Sequence, residues 1–218
     1  MEEKSPAPVR PIPYAEALGD QDPILVMATT PDRLRRLVRG LTEKQLSKQP
    51  LPGKWSIKEI IAHLADGEVI IGSRYRFVGA HDRPAIAGYD QDLFVARLGV
   101  ANTTTQDLLD DFALARAVNL GLLERLPIES FDRVGIHSER GPESILTMVA
   151  FYSGHDLHHM AQIETIRVGL FGGAKKKART PAKKTAPAMK APAKKAAPKV
   201  KSVPAKRSAP ARKAAKKR

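Results

Sequence analysis

Two histidines four residues apart, His155 and His159, are the residues best placed to do chemistry in this sequence. On an α-helix, side chains with this spacing lie on one face, one above the other. Two such imidazoles can close on one metal ion at about 2.0–2.1 Å per nitrogen. A single histidine on a core-facing stripe is more often structural, but two on one stripe bring several ring nitrogens that all need partners. The pair leaves two interpretations open, a metal site and a structural pair.

A helix that carries the pair is indicated by the residues around it. Core-facing positions recur at alternating steps of three and four. These positions are Ile145, Met148, Tyr152, His155, His159, Gln162 and Ile166. His158 points away from this stripe, so we expect it at the edge of the helix face or exposed. The order His-Asp-x-x-His approaches the zincin motif, but Asp156 replaces its glutamate, and the shorter carboxylate argues against a metalloprotease.

A third histidine, His63, lies in the second turn of an earlier helix. That helix has the clearest start signal in the chain, because Ser56 as N-cap and Glu59 at N3 form a capping box directly after Trp55. We expect the helix to run to about Val78. A histidine alone in this position is more often structural, and its candidacy as a ligand depends on the later pair.

The charge of the chain is divided between two regions. Its 218 residues carry 37 basic and 23 acidic side chains. Residues 174–218 contain 14 Lys and 4 Arg with no acidic residue, so residues 1–173 are net −4. We therefore predict three parts: an extended, proline-rich arm over 1–22, a mildly acidic helical domain over 23–172, and a disordered basic tail over 173–218.

Several classes of protein are excluded by composition. The chain has no cysteine, which rules out a disulfide scaffold, an Fe–S cluster, a Cys-ligated zinc site and a cysteine nucleophile. We see neither an apolar signal-peptide core near the start nor a run of about 20 apolar residues that could span a bilayer. We expect a cytoplasmic protein without membrane contact.

Four amphipathic helices and no convincing strand predict an all-α four-helix bundle. The expected helices cover about 23–41, 57–78, 104–126 and 142–170, joined in part by irregular segments over 79–93 and 128–140. Pro31 should kink the first helix or mark its restart. Thr103 and Gln106 should form the capping box of the third. The simplest way to bring His63 to the later pair is to pack the second and fourth helices side by side.

Two motifs in this order resemble the DinB-like superfamily. The first is Trp-Ser-Ile-Lys-Glu-Ile-Ile-Ala-His-Leu-Ala-Asp-Gly-Glu over 55–68, and the second is Gly-His-Asp-Leu-His-His-Met-Ala-Gln-Ile over 154–163. The resemblance covers about 14–170. It implies an up-down-down-up four-helix bundle, often a homodimer, and a divalent metal held by three histidines.

The three histidines of the family map onto His63, His155 and His159. Three neutral imidazoles leave positions on the ion open for water and substrate, as in catalytic sites. Imidazole ligands suit Zn, Ni or Fe. Nearby side chains could transfer protons or hold the ligands. These candidates are Glu59, Asp66, Glu68, Tyr152 and Gln162. Each has an ordinary alternative as a cap, a solvated charge or part of the core.

The resemblance implies more than one activity. Some members are transferases or isomerases that use a low-molecular-weight thiol, and others resemble small metal-dependent hydrolases. Our first hypothesis is a metal-dependent thiol transferase or isomerase with a small-molecule substrate. The second is a non-enzymatic, metal-holding or dimerising bundle whose tail binds DNA. A hydrolase is the third.

The basic tail resembles histone H1-like tails. It is nearly all Ala, Lys, Pro and Arg, and such tails neutralise phosphates without reading sequence. We therefore expect non-specific DNA binding and association with the nucleoid, with a solubilising extension as the alternative. No aromatic residue is interleaved, so stacking on bases is not supported. The candidate DNA contacts are Lys175, Lys176, Lys177, Lys183, Lys184, Lys194, Lys195, Lys206, Arg207, Arg212, Lys213, Lys216, Lys217 and Arg218.

Overall fold

The structure, a computed structural model, describes residues 12–172. Within this range the α-helices are Ala15–Leu18 (α1), Pro23–Val38 (α2), Glu43–Leu46 (α3), Ile57–Ala80 (α4), Gln91–Arg97 (α5), Thr105–Arg125 (α6) and Ile145–Phe171 (α7). Short strands are Ala85–Ile86 (β1), Val134–His137 (β2) and Gly141–Ser144 (β3), and 3-10 turns cover Val100–Asn102 and Ile128–Asp132. The predicted tail over 173–218 lies outside the described residues.

The four long helices, α2, α4, α6 and α7, form the predicted bundle. Contacts between α4 and α6 advance in the same direction, from Glu68 with Arg116 to Gly79 with Leu126, so these two helices run parallel. Contacts at two points along each of the other neighbouring pairs give their relative directions. Helices α2 and α7 contact each other at Pro23–Ser153 and Leu37–Arg167. The corresponding contacts are Met27–Arg116 and Arg35–Asp110 for α2 and α6, and His63–His155 and Gly79–Ile145 for α4 and α7. Helices α2 and α7 are therefore parallel, and the remaining neighbours antiparallel. The expected up-down-down-up order is confirmed.

Two apolar clusters fill the bundle, one at each end. One contains Ile57, Ile60, Ile61 and Leu64 of α4 with Leu108, Leu109 and Phe112 of α6 and Ile163 of α7. The other contains Ile71, Tyr75 and Val78 of α4 with Leu122 and Leu123 of α6 and Ile145 and Met148 of α7. Burial of these side chains at about 25 cal/mol per Å² is the main force that holds the helices together.

A buried polar layer lies between the two clusters. Its centre is Arg116, 1% exposed, whose Nη2 donates to Glu68 Oε1 at 2.7 Å and to Asp156 Oδ2 at 2.8 Å. Nη1 donates to the Met27 carbonyl oxygen at 2.8 Å, and Asn119 Nδ2 donates to the Glu68 carbonyl oxygen at 2.8 Å. All four bundle helices thus meet on one guanidinium.

A three-stranded sheet, which the sequence analysis did not predict, covers one end of the bundle. Strand β1 pairs with β2 in parallel, with Ala85 opposite Ile136, and β2 pairs with β3 antiparallel. The sheet is pressed onto α4 at Gly135. A Cβ there would lie 2.5 Å from Ile86 Cδ1 and 2.7 Å from Val78 Cγ2, so a larger residue would have to displace these side chains.

The irregular connector predicted over 128–140 is therefore wrong in part, and so is the start predicted for the fourth helix. Pro142 lies in β3, paired with β2, rather than in the first helical turn. Helix α7 begins at Ile145, because Ser144 caps it by accepting a hydrogen bond from the Thr147 N–H.

Other boundaries also differ from the predicted ones. The expected extended arm over 1–22 contains α1 in its described part, anchored by the buried Leu18. Helix α2 continues through Pro31 without a restart. The cap of α6 is Thr104 with Asp107, one residue after the predicted pair. None of the helices in the described range is long and apolar enough to cross a membrane.

Candidate metal centre and its cavity

The three histidines expected to act as ligands converge in the bundle. His63 comes from α4, and His155 and His159 come from successive turns of α7. The Nε2 atom of His155 lies 2.9 Å from that of His63 and 3.1 Å from that of His159. Three nitrogens this close can all reach one ion at about 2.0–2.1 Å. The three buried side chains therefore form a group that could hold a metal ion.

Hydrogen bonds to the Nδ1 atoms affect which ring nitrogen carries the proton and which one has a lone pair available for a metal ion. His159 Nδ1 lies 2.9 Å from Gln162 Oε1, which can accept its proton and leave the Nε2 lone pair directed at the cluster. His155 Nδ1 is buried and has no partner among residues 12–172. Gln162, one of the predicted supporting residues, thus orients one ligand, while His155 lacks such support.

Burial keeps the three rings neutral, because a charged imidazolium loses its hydration there. Burial, with the charge of His159, lowers the pKa of His63 to about 3. Burial likewise lowers the pKa of His159 to about 4, although Gln162 opposes the shift. The pKa of His155 lies well below its usual range for the same reason. Neutral rings offer the lone pairs that a metal ion needs.

Aromatic side chains enclose the histidines from two sides. The ring of Trp55 lies 4.9 Å from that of His63, between centroids. On the other side the ring of Tyr14 lies 5.4 Å from that of His155. Tyr14 comes this close because position 154 is a glycine, where a Cβ would lie 2.4 Å from the Tyr14 carbonyl oxygen.

A cavity of about 340 Å³ opens beside the cluster. His63 and His155 form part of its wall, together with Tyr14, Phe151 and Tyr152. Other parts of the wall come from the segment after β1 and from the β2–β3 hairpin, including Tyr89, His137 and Arg140. A small molecule in this space would contact two of the three histidines.

Arg74 and Tyr152 form a buried pair in the cavity wall. Arg74 is 5% exposed, and its Nη1 donates to Tyr152 Oη at 3.3 Å while Nη2 donates to the Ala87 carbonyl oxygen at 2.7 Å. Burial raises the pKa of Tyr152 above its usual value, although Arg74 opposes this. Tyr152 therefore keeps its proton, and its hydroxyl can donate while its oxygen accepts from Arg74.

The other proposed proton-transfer residues have different positions. Glu59 accepts from the Ser56 N–H at 2.6 Å and so serves as a helix cap. Glu68 is bound to Arg116 in the buried polar layer. Asp66 is half-buried, with its pKa raised by burial and by Asp111, and it does not line the cavity. Of these four candidates, only Tyr152 faces the cavity.

His158 is exposed, as the helix phase predicted. The candidate DNA contacts, from Lys175 to Arg218, lie outside the described residues.

Arg74, His137 and Arg140 are among the cavity residues that were not predicted from the sequence. The strand that positions His137 has only four residues, Val134–His137, which is too short for a clear periodic signal, and Arg140 follows it in the hairpin turn. No local signal distinguishes Arg74 from a solvated charge on a helix, because its surroundings come from segments distant in sequence.

The fold and the histidine cluster define a four-helix bundle with a candidate metal centre. The DinB superfamily matches residues 27–163, and this chain belongs to it.

Two similar proteins are also described as metal-dependent. A protein of Oceanobacillus iheyensis, described as a "putative metal-dependent hydrolase", is 28% identical over 138 residues, which cover 62% of this chain and 78% of that protein. One of Geobacillus thermodenitrificans with the same description is 27% identical over 149 residues, 66% of this chain and 82% of that protein.

A solved structure shares the fold. YfiT from Bacillus subtilis, described as "a probable metal-dependent hydrolase with an unusual four-helix bundle topology", superposes with a TM-score of 0.63 at 21% identity. The match covers 76% of this chain and 92% of that one.

Proposed function

We propose that this protein is a metal-dependent enzyme that acts on a small molecule bound beside His63 and His155. The observation that carries the proposal is the convergence of three Nε2 atoms beside a cavity of about 340 Å³ whose wall includes two of these histidines, His63 and His155. Structural zinc sites are closed by four protein ligands, whereas three ligands leave room for substrate. Imidazole nitrogens suit Zn, Ni or Fe.

The surrounding side chains have distinct tasks in this proposal. His63, His155 and His159 hold the ion as neutral rings, and Gln162 orients His159. When bound, a divalent ion would lower the pKa of a thiol or water beside it and so supply a nucleophile at neutral pH. Tyr152 keeps its proton and can donate a hydrogen bond to the substrate.

We favour a low-molecular-weight thiol as the nucleophile. Water bound to a metal has a pKa of about 7, so it is only partly ionised at neutral pH and benefits from a general base, but Glu59 is a helix cap and Glu68 is paired with Arg116. The two carboxylates that line the cavity, Asp90 and Glu139, belong to exposed residues. A thiol bound to a metal loses its proton without such a base. The second candidate is a hydrolase, which the descriptions of the relatives favour.

Metal analysis of the full chain, purified without a His-tag, tests the centre. We expect one divalent ion per chain, lost in the His155→Ala/His159→Ala double variant and retained in the control His158→Ala, because position 158 lies on another face of α7. Stoichiometric metal in the double variant, or equal loss in His158→Ala, would refute this assignment.

A turnover screen separates the candidate reactions. Metal-loaded protein is offered electrophilic substrates with glutathione, mycothiol or bacillithiol, and ester and amide substrates without thiol. Thiol-dependent turnover that disappears in the double variant supports the transferase, and thiol-independent hydrolysis supports the second candidate. Metal binding without either reaction would favour the non-enzymatic bundle.

We also propose that the tail over 174–218 binds DNA without sequence preference. Its 18 basic and no acidic residues support this, since residues 1–173 are net −4. If about half of the charges engage, log K should fall with log salt at a slope of about −8. Salt titrations on two unrelated duplexes should show this slope for the full chain and no binding after deletion of 174–218. Comparable binding by the truncated chain would refute the assignment to the tail.

A further inference from the structure

We infer that the cavity contains a subsite for an oxyanion of the substrate, a carboxylate or phosphate group, formed by Arg74 and His137 with Arg140 beside them. This inference rests on the proposed function, because the oxyanion would belong to the molecule on which the metal centre acts. It adds a substrate class and three residues to that function.

The first observation is the guanidinium of Arg74. It is 5% exposed, and its hydrogen bonds go to a tyrosine hydroxyl and a backbone carbonyl, both uncharged. Within residues 12–172 no carboxylate forms an ion pair with it. A buried charge without a counter-ion is unfavourable, and a bound anion would compensate it. Arg116 shows the contrast, since the fold gives it two carboxylates.

The second observation is the ring of His137, which is 2% exposed and lines the same cavity. Its Nδ1 accepts hydrogen bonds from the N–H groups of Glu139 at 3.1 Å and Arg140 at 3.3 Å. The ring proton is therefore on Nε2. That N–H is buried and has no acceptor in the described part of the chain. An oxyanion oxygen would supply the missing acceptor.

The third observation is the charge around the two groups. Arg140 lines the cavity as well, with its guanidinium bound to Glu143 and its Cζ 5.0 Å from the centre of the Phe151 ring. The acidic residues of the lining, Asp90 and Glu139, are exposed, and Asp90 is engaged in capping α5. Donors thus occupy the buried part of the cavity, while the carboxylates belong to its exposed residues.

Calorimetric titration of the full chain tests the subsite. The probes are benzoate and phenyl phosphate as oxyanions, and benzyl alcohol as an uncharged ring of similar size. We expect at least one of the two anions to bind. Arg74→Gln should weaken that binding about 10- to 100-fold, because the free energy of a hydrogen bond to a charged group corresponds to a change in affinity of this size. The control is Arg76→Gln, an exposed arginine on the same helix, which should bind as the wild type does. Because every variant keeps the same tail, its charges cancel in the comparison.

Each titration is done on metal-loaded and on EDTA-treated protein, with metal content measured in every variant. Binding of either anion that depends on Arg74 in both forms supports the subsite, even if the wild type holds no metal and the proposed function fails. Binding of neither anion overturns the inference. Benzyl alcohol binding as tightly as both anions overturns the inference, and so does Arg74→Gln within twofold of wild type. If Arg74→Gln does not fold, two other measurements decide: whether Arg140→Gln weakens anion binding, and whether the wild type binds the anions more tightly than benzyl alcohol. A preference for benzoate identifies a carboxylate substrate, and a preference for phenyl phosphate a phosphorylated one.

Discussion

Replacement of Arg116 by methionine should strongly destabilise the fold. The side chain is 1% exposed and donates three hydrogen bonds, two of them to the buried carboxylates of Glu68 and Asp156. Methionine fills most of the volume but leaves both buried carboxylates without a positively charged partner. Removing one partner from a buried ion pair costs about 3–5 kcal/mol, and here two carboxylates lose the same cation. We expect a loss near the upper end of that range.

Urea unfolding followed by far-UV circular dichroism measures the effect. The matched control is the triple variant Arg116→Met/Glu68→Gln/Asp156→Asn, which removes the charges together and should recover most of the stability. The deficit of the single variant should also shrink at low pH. Burial already raises the pKa of Asp156 to about 6 against Arg116, and without that cation protonation becomes easier still. A loss under about 1 kcal/mol in Arg116→Met, or a triple variant no more stable than the single one, would refute the reasoning.

Three further predictions concern the metal centre and its surroundings. Gln162→Leu should weaken metal affinity about 10- to 100-fold, because His159 loses the acceptor of its Nδ1 proton; competition with a chromogenic chelator measures this, and unchanged affinity would contradict the assigned role. Gly154→Ala should lower the free energy of unfolding by about 1–3 kcal/mol through its clash with the Tyr14 carbonyl. The control Gly169→Ala, where no atom lies within 4 Å of the added Cβ, should be neutral or stabilising in the same urea titration. Metal-free protein should lose stability as pH falls from about 6.5 toward 4, since unfolded histidines then bind protons that the buried ones refuse. The raised pKa of Asp156 acts in the opposite direction. The test is therefore the free energy of unfolding of the wild type minus that of His155→Ala/His159→Ala, which should decrease as the pH is lowered. A difference that does not change with pH would contradict the prediction.

The parts of the fold that the sequence predicted are those encoded locally. The start of α4 depends on a capping box within four residues, Ser56 to Glu59, and the convergence of His155 and His159 depends on helical spacing alone. The cap of α6 was misplaced by one residue because Thr103 and Thr104 are adjacent and each is followed at N3 by a residue able to complete a box.

The parts that sequence reasoning missed depend on partners distant in the chain. Strand β1 has two residues and β2 has four, too few for a periodic signal, and they form a sheet only by pairing with each other across about 50 positions. Glu68 was a candidate for proton transfer because nothing in the sequence places Arg116 beside it. Arg74 and His137 became visible as a pair only once the cavity had formed around them.

Because α4 and α6 run parallel, the chain between them must return along the length of the bundle. Residues 81–104 form this crossover connection. This connection and the hairpin before α7 supply Tyr89, His137 and Arg140 to the cavity, whereas the three histidines belong to α4 and α7. The groups that would hold an ion and much of what would select a substrate are thus encoded in separate stretches of sequence. Connections tolerate insertion and substitution far better than packed helices do. A protein built this way could change its substrate through changes in these connections, while the helices that carry the histidine cluster stay the same.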